Sequence, residues 1–234
     1  MFEGFSERRV ATSGADIFLR TAGSGPPLLL VHGYPQTHVM WHRVAPVLAE
    51  RFTVVCPDLR GYGASSKPPS DPAHAAYSKR ASAQDLVEVM AALGFDRFAV
   101  AGHDRGARVT HRLALDHPER VERAAILDII PTLDVFDNVD QAVATGTYHW
   151  FFLIQPAPFP ETLIGHDPAY FLRWHLRSWS VGRDDFYDPA ALAAYEAAFA
   201  DPATIHATCE DYRAGASIDL EHDRADEAAG RRVA

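Results

Sequence analysis

Gly102-His103-Asp104-Arg105-Gly106-Ala107-Arg108 follows the apolar run Phe98-Ala99-Val100-Ala101 and opens a helix-like segment, Val109 to Leu115. An apolar run, a glycine-flanked turn and an amphipathic stretch, in that order, predict a sharp strand-turn-helix elbow. On such an elbow the central residue sits on a strained turn with its side chain exposed, and the flanking glycines let the turn close without clashes. The central residue here is Asp104. A carboxylate is ionised at neutral pH and attacks a saturated carbon without a base, leaving an ester on the protein. Asp104 therefore points to displacement at carbon rather than acyl transfer.

Around the elbow, apolar runs alternate with amphipathic stretches, the rhythm of an α/β protein with a mostly parallel sheet. Strands are predicted at residues 8–12, 17–22, 28–31, 53–56, 97–101 and 124–127, with helices at 38–50, 80–93 and 106–115. Gly23-Ser24-Gly25-Pro26-Pro27 and Gly61-Tyr62-Gly63-Ala64-Ser65 read as loops. Asp58, just ahead of the second, reads as the pin of a structural turn. After Pro131 the strands stop and residues 131–215 read as successive helices. Asp167-Pro168, Asp188-Pro189 and Asp201-Pro202 each place an N-cap acceptor before a proline at the first helical position, where the missing N–H costs nothing. A helical insertion after a sheet strand predicts a lid over the carboxyl edge, where such folds bind ligands. The chain thus divides into a core at 1–130, a helical cap at 131–215 and a charged, helical return toward the core at 216–234.

With 234 residues, 47% apolar and 23% charged, one sizeable core can be buried. No run reaches the roughly 18 apolar residues that span a bilayer, so no membrane association is expected and a cytoplasmic location follows. Cys56 and Cys209 lie far apart without metal-ligand spacing, so neither a disulfide framework nor a metal site is expected. A net charge of −9 disfavours nucleic acid as a partner. A small anion would respond to local arginines instead of the total charge.

His32-Gly33-Tyr34-Pro35 directly follows the apolar stretch Leu28 to Val31. Together with the Asp104 elbow it resembles the α/β-hydrolase superfamily, whose usual elbow is G-x-S-x-G. The resemblance implies an oxyanion hole built from the backbone N–H groups of Tyr34 and Arg105. Within the superfamily the chain is most similar to the haloacetate dehalogenases, fluoroacetate dehalogenases above all, from Phe5 to about Leu220. Haloalkane dehalogenases and epoxide hydrolases tend to carry Trp after the nucleophile, a place held here by Arg105. The resemblance implies that Arg105 and Arg108 hold the substrate carboxylate, and fork-shaped guanidinium groups suit that task. Their i, i+3 spacing predicts that both face one side of the helix start, where the macrodipole also favours an anion.

Asp128 ends the predicted strand at 124–127, so its carboxylate should emerge at the same sheet edge as Asp104. Its implied role is to orient a catalytic histidine. Tyr148-His149-Trp150 and Glu210-Asp211-Tyr212-Arg213 match stretches that supply the halide pocket in fluoroacetate dehalogenases, so His149, Trp150 and Tyr212 are expected to donate to the departing halide. Adjacent helical residues diverge by about 100°, so His149 and Trp150 should flank an ion from two sides. Trp179 is a candidate pocket wall. The chemistry implied by the resemblance uses no cofactor and no metal, takes a small haloacid as substrate, and belongs to enzymes that are commonly homodimers.

In this superfamily the catalytic histidine follows the nucleophile and the acid late in the chain. None of the twelve histidines occupies such a place: His103 lies in the elbow, His111 and His117 in the next helix, and His166, His175, His206 and His222 in or just after the predicted cap. The expectation is therefore a fragment lacking the last core strands and helix, with an exposed sheet edge, able to form an ester and unable to hydrolyse it. Two rivals stand beside a haloacetate dehalogenase. An epoxide hydrolase would use Tyr148 and Tyr212 to protonate the epoxide oxygen but leave the arginines unused. A truncated, non-catalytic α/β-hydrolase scaffold would retain only an anion pocket.

Overall fold

Leu29 and Val31 pack into one apolar cluster with Val55, Val100, Val109, Leu113 and Met90, while Leu30, Val54 and Cys56 join Phe2, Trp41 and Ala45 in a second. That two-residue alternation places an apolar layer on each face of one sheet. The structure is a computed structural model and describes residues 1–183 and 185–233; Asp184 and Ala234, the last residue of the terminal stretch, lie outside the described residues. Six strands form the sheet: β1 (Ser6–Ala11), β2 (Asp16–Ala22), β3 (Pro27–Val31), β4 (Thr53–Pro57), β5 (Phe98–His103) and β6 (Val121–Leu127). Their spatial order is β1-β2-β4-β3-β5-β6. Pairings from β4 through β3 and β5 to β6 are parallel, and β1 and β2 are joined on antiparallel.

Strand order reverses around β3, which has β4 on one side and β5 on the other. Loops leaving β3 and β5 part at this switch point, where open α/β sheets bind their ligands. His32-Gly33-Tyr34 and Asp104 are the residues that stand there. At the far side β6 pairs with β5 alone among the described strands and is exposed from Glu122 to Leu127, the open edge anticipated from the sequence.

Helix α2 (Lys79–Ala92) is capped by Ser78, whose Oγ accepts from the Ala81 N–H at 3.1 Å. It packs with α3 (Arg105–Asp116), which in turn covers β5 and β6. The single helix predicted at 38–50 is instead a 3-10 turn, His38–Trp41, followed by a short α1 (Ala45–Ala49). Pro46 explains the break: it has no N–H to donate and disfavours helical geometry in the residue before it, so it fits only the first turn of a new helix. Asp58 behaves as the predicted turn pin, accepting from the N–H groups of His38 at 2.7 Å and Ala64 at 2.8 Å and from His38 Nδ1 at 2.8 Å.

Beyond β6 come eight described helices: α4 (Thr132–Asp137), α5 (Gln141–Gly146), α6 (Tyr148–Leu153), α7 (Phe159–His166), α8 (Pro168–Trp179), α9 (Pro189–Phe199), α10 (Pro202–Gly215) and α11 (Ile218–Ala228). Asp167, Asp188 and Asp201 cap α8, α9 and α10 as expected, accepting from Tyr170, Ala190 and Ala203 at 2.8–2.9 Å. Helix α10 is the keystone of this set, since it touches α6, α7, α9 and α11 and is buried from Thr204 to Gly215 apart from His206.

Candidate active site

Asp104 has φ +50° and ψ −118°, a conformation that side chains rarely adopt and that only a tightly supported turn sustains. The support is the close approach of α3 to β3. A Cβ on Gly106 would lie 2.3 Å from the His32 carbonyl oxygen and 2.6 Å from that of Val31, and one on Gly102 would lie 2.4 Å from the Gly106 carbonyl oxygen. Both glycines are thus required by contact. The strained turn lifts the Asp104 carboxylate off the sheet, where its Oδ1 accepts the Tyr34 N–H at 2.8 Å. The backbone N–H predicted for an oxyanion hole thus already holds the carboxyl oxygen on which negative charge would gather when an ester at Asp104 is hydrolysed. The Arg105 N–H, the other predicted donor, heads α3.

A cleft of about 700 Å³ opens above this point, lined by Tyr34, His103, Asp104, Arg108, Asp128, His149, Trp150 and Trp179, among others. Seven of the sequence-predicted residues thus meet around one space. Arg108 lays its guanidinium 4.4 Å above the Trp150 ring and donates through Nη1 to the Ile130 carbonyl at 2.8 Å and the Thr132 hydroxyl at 3.1 Å. Its Nε is buried without a partner among the described residues. Burial and the neighbouring Arg105 charge pull its pKa down to about 10, which still leaves it cationic at neutral pH. His149 and Trp150 flank the cleft from successive positions on α6, as the helical divergence requires. Burial, with His175 and the two arginines nearby, lowers the His149 pKa to about 3, so its ring is neutral and keeps a single N–H to donate. Trp179 packs 4.8 Å from His149, ring centre to ring centre.

Two predicted residues do not line the cleft. Arg105 is only 1% exposed and turns toward α10, where Nε donates to Asp211 Oδ2 at 2.8 Å and Nη2 to the Asp211 carbonyl at 2.7 Å. Its guanidinium lies 4.2 Å over the Tyr212 ring. The two arginines therefore diverge instead of forming a side-by-side clamp. The physical reason is Asp211, a fully buried carboxylate that also accepts from Tyr62 Oη at 2.8 Å and pairs with Lys79 Nζ. The Arg105 and Lys79 charges hold its carboxyl well below the usual carboxylate range against the opposing cost of burial. Tyr212 sits behind the cleft, its hydroxyl buried without a partner among the described residues.

Asp128, in a positive-φ conformation at +59°, leaves its side chain 90% exposed at the cleft rim. The nearby histidine is His103, whose Nε2 stands 3.8 Å from Asp128 Oδ2, beyond hydrogen-bonding distance. His166 ends α7 and is not among the residues lining the cleft, and the Gly165-His166-Asp167 tripeptide serves as a helix junction. Sequence reasoning missed Asp211, Lys79 and Tyr62, which reach one another from three separate elements. It also missed His175, buried behind His149 and bonded to Tyr148 Oη at 3.1 Å. A charged residue beside Tyr212 on a helix with no exposed face was the available signal for Asp211.

Residues 26–228 match the alpha/beta hydrolase fold family. The chain belongs to the α/β-hydrolase family. As a hydrolase of this fold it is 53% identical over its whole length to a fluoroacetate dehalogenase from Burkholderia sp, spanning 76% of that protein. A soluble epoxide hydrolase from Corynebacterium sp. (strain C12) is 37% identical over 86% of the hydrolase chain and 70% of its own. The crystal structure of ALR0039 from Nostoc sp PCC 7120 superposes with a TM-score of 0.95 at 60% identity, covering 97% of this chain and 78% of that one. Among the described residues no helix of the hydrolase is long and apolar enough to cross a membrane.

Proposed function

We propose that the protein is a haloacetate dehalogenase in which Asp104 is the nucleophile. The single observation that carries this reading is the strained Asp104 carboxylate, held by the Tyr34 N–H and sharing a cleft with the cationic Arg108. Arg108 attracts the substrate carboxylate, and its unpartnered Nε is a donor in want of an acceptor. Arg105 adds positive potential from behind. Asp104 Oδ attacks the halogen-bearing carbon from the face opposite the halogen. The new C–O bond forms as the C–halogen bond breaks, and the halide leaves with the bonding pair toward His149, Trp150 and Tyr212. Neutral imidazole, indole and phenol groups offer N–H and O–H donors to that ion without a permanent charge to trap it.

Hydrolysis of the resulting ester asks for a water activated by an imidazole, which Asp128 would orient. Among the described residues His103 approaches Asp128 without bonding it, so ester formation is expected to outrun ester hydrolysis in this chain. The identity to a soluble epoxide hydrolase favours a second reading. In it Tyr148 and Tyr212 would serve an epoxide oxygen. However, Tyr148 Oη is shared with His175, and a neutral epoxide gives Arg108 nothing to bind. The test is fluoride release from fluoroacetate, in a burst where hydrolysis lags, by wild type and Asp104→Ala side by side, with styrene oxide as the competing substrate. Release by the wild type alone supports the dehalogenase; equal release by both proteins, or turnover of styrene oxide only, overturns it.

A further inference from the structure

The Tyr34 side chain has a place in the site that its backbone role does not use. Its ring is 3% exposed, borders the cleft beside Asp104, and carries a hydroxyl buried without a partner among the described residues. Burial raises the hydroxyl's pKa well above the ordinary tyrosine value, so it stays a neutral donor throughout the working pH range. Two other buried polar atoms nearby share the same want of a partner, His149 Nδ1 and Tyr212 Oη. The three rings form one group: Tyr34 lies parallel to His149 at 6.3 Å between centroids and edge-on to Tyr212 at 5.2 Å. Buried polar groups nearly always find a partner, and three in one cluster mark a place built for an acceptor that the protein itself does not supply.

We propose that the Tyr34 hydroxyl is a further donor to the departing halide, acting beside His149 and Tyr212. The inference rests on the dehalogenase reading and extends it from the donors proposed there to the loop after β3. It also gives that loop two functions in one residue, since the Tyr34 N–H fixes the nucleophile while its hydroxyl receives the leaving group from the same carbon. The contribution should depend on the halogen. Fluoride is a small, strongly accepting ion and a poor leaving group, so its departure gains most from an added hydrogen bond; bromide leaves readily and gains less.

Tyr34→Phe removes the hydroxyl and keeps the ring that packs against His149, Trp179, Phe199 and Tyr212. Two measurements on the 234-residue chain test it. The first is the rate of ester formation with fluoroacetate and with bromoacetate, read by intact mass before hydrolysis. The second is fluoride binding, followed by tryptophan fluorescence and independent of any reaction. The expected result is a fall of roughly 10- to 100-fold in the fluoroacetate-to-bromoacetate rate ratio, the usual worth of a hydrogen bond to a charged acceptor, with fluoride affinity weakened alongside. An unchanged ratio and unchanged fluoride affinity in Tyr34→Phe, with a reactive wild type, overturn this inference alone. A wild type that neither forms an ester nor binds fluoride overturns the dehalogenase reading and the inference together.

Discussion

Replacing Asp211 by Asn probes the anchor that draws Arg105 away from the cleft. Asn keeps the shape of the side chain and removes its charge, so Arg105 loses the anion that lies 2.8 Å from its Nε and Lys79 loses its closest anion. Lys79 retains Asp219, whose Oδ2 is 3.4 Å from Nζ, whereas Arg105 is left as a buried cation with neutral acceptors at position 211 in place of a carboxylate. Breaking a buried ion pair on one side costs about 3–5 kcal/mol. For a chain of this size each kcal/mol moves Tm by about 2–4 °C, so Asp211→Asn should melt roughly 6–20 °C lower. Far-UV circular dichroism during heating reads this directly. The pH dependence gives an independent check. Asp211 titrates lower in the folded protein than in the unfolded chain, so its stabilisation is fully present above about pH 4 and is lost as the pH falls below it. The gap between wild type and Asp211→Asn should therefore be constant from pH 5 to 8 and narrow under acid. A loss below about 1 kcal/mol, or a gap that does not narrow, refutes the claim that Asp211 is the charged anchor of Arg105.

Gly106→Ala should cost about 1–3 kcal/mol or more, because the new methyl group meets backbone oxygen at 2.3 and 2.6 Å and the elbow must shift; a urea midpoint equal to wild type would contradict this. His149 has its pKa lowered to about 3, so the unfolded chain takes up its proton first and stability is lost between about pH 6.5 and pH 3. His149→Phe should flatten that part of the stability profile, and an imidazole signal assigned to His149 that titrates near pH 6.5 in the folded protein would rule the shift out.

The fold was legible in the chain wherever one local pattern decided an element. Phe98 to Arg108 announced β5, the elbow and α3, and three Asp-Pro pairs announced helix starts that the structure reproduces cap for cap. The helix at 38–50 was misread because its apolar spacing outweighed one proline. At the site, residues on elements leading directly out of the sheet were found, since strand ends fix where side chains emerge. The relation between Arg105 and Arg108 was not, because i, i+3 spacing fixes a helix face but not which distant carboxylate will claim a guanidinium. Asp211 is 106 residues from Arg105, and no local pattern links them. Tyr34 was read as backbone alone, since its hydroxyl acquires meaning only when His149 and Tyr212 stand around it.

The central claim is that Asp104 attacks carbon, and peptide mapping after incubation with fluoroacetate tests it most directly. Fluoroacetate spares ordinary thiols, so the buried Cys56 and Cys209 do not confuse the result. The expected outcome is a carboxymethyl ester on the peptide carrying Asp104, absent from Asp104→Asn and accompanied by one fluoride ion for each modified chain. An ester at another carboxylate, or fluoride released without any dependence on Asp104, would contradict it.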